Sequence, residues 1–111
     1  MEVPYDSPEL DTILDALANQ KRRGIVHELS LSPASIKQLA RHHALSLPAI
    51  HKHLKVLENA SLIIRRKTGR TNFITLNPGT LELARAWINQ YQTGWGSSGA
   101  SFENYLPGMR R

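Results

Sequence analysis

Six cationic side chains fall within nineteen residues of this chain: Lys52, Lys55, Arg65, Arg66, Lys67 and Arg70, with Glu58 the one acid among them. Ammonium and guanidinium groups of that density suit a polyanion, because they neutralise phosphates while neighbouring donors can reach base edges. The last four lie within six residues with no acid between them. Like charges so crowded repel, which costs stability unless a polyanion binds. The competing reading is an ordinary solvated basic face, which lysines often mark.

Projecting residues 46–58 at about 100° per residue separates two faces. Ile50, Leu54 and Leu57 share one stripe, a core face. Pro48, Lys52, Lys55 and Val56 lie opposite, with Ala49 and His51 at the flanks and His53 nearer the buried edge. His51, Lys52 and Lys55 would then offer donors and charge to solvent, and Ala49 could meet a thymine methyl. Arg70 follows Gly69 at the tip of an expected hairpin. Its guanidinium there either enters a minor groove or makes one more phosphate contact.

Other chemistries find little support. No nucleophile–base pair, paired carboxylates or phosphate-cradling glycine loop is evident, so an enzyme is not expected. The chain has no cysteine, which excludes disulfides and thiolate metal ligands. The five histidines are His27, His42, His43, His51 and His53. His51 and His53 point about 200° apart on a helix, and adjacent His42 and His43 diverge similarly, so neither pair should chelate one ion. No metal and no cofactor are expected; the histidines read as surface or capping groups.

The elements that must hold these residues are legible from caps and periodicity. Ser7-Pro8 opens a first helix whose Leu10, Ile13, Leu14 and Leu17 form one apolar face. Asn19 caps a second, with Lys21, Arg22 and Arg23 in its first turn and Gly24 weakening it by roughly 1 kcal/mol. Ser32-Pro33-Ala34 ends it. Ser35 and Gln38 form a capping box for a short third helix, and Ser46 caps the fourth, with Pro48 in its tolerant first turn. Residues 62–66 and 72–76 read as strands of a hairpin around Lys67-Thr68-Gly69-Arg70. Thr80 is expected to cap a fifth helix containing Trp87, Ile88 and Tyr91. A Gly/Ser-rich link over 94–101 and a short aromatic patch, Phe102–Leu106, follow. The fold class is thus mainly α with a small β-hairpin, a winged helix-turn-helix spanning 1–92, with a tail over 93–111.

Length and charge agree with one such domain. The chain has 111 residues and a formal charge of +5. Residues 1–18 hold five acids and no Lys or Arg, whereas residues 19–75 hold eleven bases and two acids, Glu28 and Glu58. Positive potential is therefore concentrated on the middle of the chain. No apolar run nears the ~18 residues of a membrane span, and the acidic start is unlike a signal peptide. A soluble cytoplasmic protein without membrane contact is expected.

These residues resemble the ArsR family of winged-helix transcriptional repressors. The segment Leu17–Val26 looks like the family's opening motif, and Ser46–Glu58 is similar to its recognition helix almost position for position. Lys67-Thr68-Gly69-Arg70 and Leu76-Asn77-Pro78 match its wing and exit, so the resemblance covers residues 10–92. Trp87, Tyr91 and Trp95 look like a branch of the family that does not sense metals. Ala44 and Ser61 stand where the family usually has glycine, so those turns either adopt other dihedrals or carry modest strain. The resemblance implies a homodimer joined through the first and fifth helices, by Leu10, Ile13, Leu14, Trp87, Ile88 and Tyr91. It implies double-stranded DNA as partner, contacted by Ser46, Ala49, His51, Lys52, Lys55, Arg65, Arg66, Lys67 and Arg70 at a near-palindromic operator. It names no effector. The rival reading is a winged-helix module that binds RNA or scaffolds a protein complex.

Overall fold

The computed structural model describes residues 2–91 and 99–109. Five helices and a three-stranded sheet form its main body: α1 (Pro8–Leu17), α2 (Gln20–Leu31), β1 (Ala34–Ser35), α3 (Ile36–His42), α4 (Leu47–Asn59), β2 (Ile63–Thr68), β3 (Thr71–Leu76) and α5 (Pro78–Asn89). A sixth helix, α6 (Gly99–Met109), lies in the tail. Among the described residues no helix is long and apolar enough to cross a membrane.

Local chemistry starts the first four helices as their sequence indicates. Side-chain oxygens of Ser7, Asn19, Ser35 and Ser46 each accept a backbone N–H three residues on, and the Ser35–Gln38 capping box is complete. The fifth helix differs. Asn77 caps it and Pro78 takes its first position, the stronger start signal of the two. Thr80 instead donates its hydroxyl to the Ser61 carbonyl at 2.5 Å.

Two further elements depart from the sequence reading. Ala34, read as the end of the second helix, and Ser35, read as the cap of the third, also form β1 and pair antiparallel with Ile74 and Phe73. The sheet order is β1-β3-β2. The Phe102–Leu106 patch lies in α6, whose Phe102, Tyr105 and Leu106 recur at helical spacing. Of the Gly/Ser-rich link, residues 94–98 lie outside the described residues.

The core gathers Ile25, Leu39, Ile50, Leu54, Leu57, Leu62 and Ile74, all fully buried, and α1 adds Leu10 and Ile13. Basic residues at the start of α2 oppose its dipole, yet they serve another end. Arg22 donates to the Ala16 and Asp15 carbonyls at 2.6 and 3.2 Å, and Arg23 to that of Leu17 at 3.0 Å. They satisfy the orphaned carbonyls where α1 ends. At the other edge, Gln90 donates its amide N–H to the Val3 carbonyl at 3.0 Å and accepts from the Val3 N–H. Val3 is buried, so this clasp pins the N-terminal segment to the end of α5.

Candidate nucleic-acid interface

The fourth helix is oriented as its periodicity dictates. Ile50, Leu54 and Leu57 are wholly buried, while His51, Lys52 and Lys55 are exposed on the other side. Ser46 accepts the Ala49 N–H at 3.2 Å, which fixes the first turn, and Ala49 is half-buried. Val56 differs from expectation: it is half-buried and packs on the core. His53 is half-buried too, with Nδ1 3.5 Å from the Arg22 guanidinium. Burial, then the charges of Arg22 and Lys21, hold its pKa below the ordinary imidazole value.

The wing is a two-residue hairpin. Thr68 pairs with Thr71 across Gly69 and Arg70, and Gly69 has φ +62°. Glycine at the first central position is the requirement of a type II′ turn. Arg66, Lys67 and Arg70 are exposed and make no ion pair among the described residues. Arg65 is different, because its Nε lies 3.0 Å from Glu58 Oε2. The expected run of four unpaired cations is therefore three, since Arg65 shares a sheet face with buried Ile63 and turns toward α4.

The histidine reading also needs correction. His42 Nδ1 and His43 Nε2 do not diverge: each lies 2.9 Å from a different oxygen of Glu28. Together they tie α3 to α2. Among the described residues no group of three or more His, Asp or Glu side chains is placed to hold a metal ion.

The six apolar residues expected at a dimer interface divide. Leu10 and Ile13 are 1% and 2% exposed and belong to this chain's own core, so they have no surface left for a partner. Leu14, Ile88 and Tyr91 are exposed. Trp87 is half-buried and meets Tyr91 edge-to-face, with centroids 5.1 Å apart and planes at 68°. Its indole N–H is buried with no acceptor among the described residues.

A capped helix after a tight turn, followed by a basic hairpin, defines a winged helix-turn-helix. Comparison with known proteins narrows this further. The family model described as "Bacterial regulatory protein, arsR family" matches residues 13–65. The HTH-type transcriptional regulator Rv2034 of Mycobacterium tuberculosis is 37% identical over 89 residues, covering 80% of this chain and 81% of that protein. An arsenical resistance operon repressor of Staphylococcus aureus is 32% identical, covering 67% and 71%. Among solved structures, an ArsR family transcriptional regulator superposes with a TM-score of 0.69 at 30% identity, covering 74% and 90%. HlyU from Vibrio cholerae gives 0.63 at 27%, covering 78% and 99%. The chain belongs to the ArsR family of transcriptional regulators. It is not an enzyme.

Proposed function

We propose that this regulator is a homodimeric repressor that works in the cytoplasm and binds a near-palindromic DNA operator through α4 and the wing of each protomer. Residues 1–92 are the reading and dimerising unit, and 93–111 form a tail outside it. One observation carries the reading. His51, Lys52 and Lys55 on α4 and Arg66, Lys67 and Arg70 in the wing are exposed and uncommitted, while Glu28 and Glu58 are both engaged internally. Among the described residues no carboxylate lies within ion-pair distance of these six side chains.

In this reading α4 lies in a major groove, where His51 and Lys52 address base edges, Lys55 a phosphate and Ala49 a thymine methyl. Ser46 sets the register of that first turn. Arg66, Lys67 and Arg70 follow the flanking backbone, and Arg65 acts by bracing β2. The exposed apolar set of Leu14, Ile88 and Tyr91 supports a two-fold interface beside α5. Selection of duplexes from a random pool by the purified protein, followed by footprinting, tests the reading. Two protected half-sites about one helical turn apart are expected. Equal capture of all duplexes, or preference for structured RNA, would overturn it.

A further inference from the structure

A cleft of about 310 Å³ lies between α3, α4 and the wing, lined by Lys37, His51, Arg70, Thr71 and Asn72, with Ile36 and Leu47 as its apolar wall. Another, of about 350 Å³, lies between α1, the end of α4 and the start of α5. Most polar side chains of the latter are already used. Thr12 and Thr80 donate to backbone carbonyls, Asn77 caps α5, and Glu9 accepts from Ser7. In the cleft beside the wing only Ser35, among the described polar residues lining it, is committed, its hydroxyl accepting the Gln38 N–H. The side chains of Lys37, His51, Arg70, Thr71 and Asn72 make no hydrogen bond or ion pair among the described residues, and no acid lines it.

The sheet explains why these residues meet. Antiparallel pairing of Ala34 with Ile74 and Ser35 with Phe73 sets the start of α3 beside β3. Ile36 and Lys37 therefore come alongside Asn72 and Thr71, next to the wing tip. A lysine on the first turn of α3 and an arginine far along the chain thus face one opening.

We propose that this cleft seats a single phosphodiester group of bound DNA, held by Lys37 and Arg70 together. The inference rests on the DNA-binding reading above and adds Lys37 to its contacts. Two cations beside one opening repel until an anion sits between them. Thr71 and Asn72 add hydrogen-bonding groups around it, and Ile36 and Leu47 offer an apolar surface to the attached deoxyribose. One phosphate then joins the helix-turn-helix to the wing, so both engage the duplex as one rigid reader. Arg70 is accordingly a backbone contact rather than a minor-groove probe.

The test replaces each phosphodiester of a selected duplex in turn by an uncharged methylphosphonate. Binding of the parent, Lys37→Ala and Arg70→Ala proteins is then compared at every position. Both residues are exposed, so the variants should fold, which circular dichroism checks. One position is expected at which the parent weakens and both variants lose nothing further. The double variant should flatten the dependence of log affinity on log salt by about one unit, the value for one phosphate, rather than two. Mapping of Lys37 and Arg70 to different phosphates, or a fall of about two units, would overturn the proposal. So would tight binding of inorganic phosphate to the free protein with a flat methylphosphonate scan, which would assign the cleft to a free phosphoryl compound. A parent that binds no duplex overturns the DNA reading as well; a parent that binds while Lys37→Ala is silent overturns the seat alone.

Discussion

Arg65 Nε and Glu58 Oε2 lie 3.0 Å apart, joining the first strand of the wing to the last turn of α4. Both side chains are about one-third exposed, so the pair contributes only about 0.2–1 kcal/mol to stability. Its larger effect is selective. It withdraws one arginine from the basic wing and leaves Arg66, Lys67 and Arg70 to face outward.

The wing cations should therefore differ in salt dependence. Lys67→Ala is expected to weaken all duplexes alike and to reduce the salt slope by about one unit. Arg65→Ala should leave that slope nearly unchanged. Fluorescence anisotropy over a range of salt concentrations measures both; equal losses would mean that Arg65 leaves Glu58 when DNA binds.

On α4, exposure and burial separate function from stability. Lys52→Ala should weaken operator binding by about 1–3 kcal/mol with the fold intact, the amount expected of a base contact. Leu54, wholly buried, should cost about 2–5 kcal/mol of unfolding free energy on truncation to alanine. Urea denaturation and binding titrations on both variants distinguish the two effects.

His53 should make stability depend on pH. Its folded pKa lies below the ordinary histidine value of about 6.5 because of burial, then Arg22 and Lys21. The unfolded chain thus binds more protons at mildly acid pH, and stability rises with pH through that window. The contribution is complete above about pH 6.5 and fades as pH falls through the folded pKa. Denaturation of the parent at several pH values should show this loss, and His53→Gln should flatten it. An unchanged profile in the variant would place the effect elsewhere.

Two turns carry strain that glycine would relieve. Ala44 and Ser61 have φ of 53° and 59°, in the left-handed region that disfavours a Cβ. Ala44→Gly and Ser61→Gly are each expected to stabilise by about 0.5–1 kcal/mol, the relief of strain less the greater freedom of the unfolded chain. A fall in melting temperature for either variant would show that the methyl or hydroxyl contributes more than the strain removes.

Ile88 offers a clean probe of self-association, because it is 58% exposed and little of the monomer depends on it. Ile88→Asp should sediment as a folded monomer and bind operator poorly. Unaltered sedimentation of a dimeric parent and this variant would move the interface off the Ile88 side of α5.

What was legible in the sequence was local. Ser7, Asn19, Ser35 and Ser46 each bond three residues on, so a short window of sequence contains both partners. Ile50, Leu54 and Leu57 declare a buried stripe by spacing alone. Where the partner is distant in sequence, the signal fades. Ala34–Ser35 is a strand only because residues 73 and 74 lie beside it. Lys37 meets the wing only because β1 pairs with β3. Glu28 was recognisable as an isolated acid, but not as the shared acceptor of His42 and His43. An apolar stripe such as Leu10, Ile13 and Leu14 announces burial without saying what covers each member; here the first two are covered from within.

The Gln90 clasp on Val3 has a practical consequence. Because one side-chain amide engages both backbone groups of Val3, the chain enters and leaves this body at neighbouring points. Adjacent ends are what insertion into a loop of a host protein demands. A unit of residues 3–91, which keeps Tyr91 against Trp87, should therefore insert into another scaffold without stretching either junction.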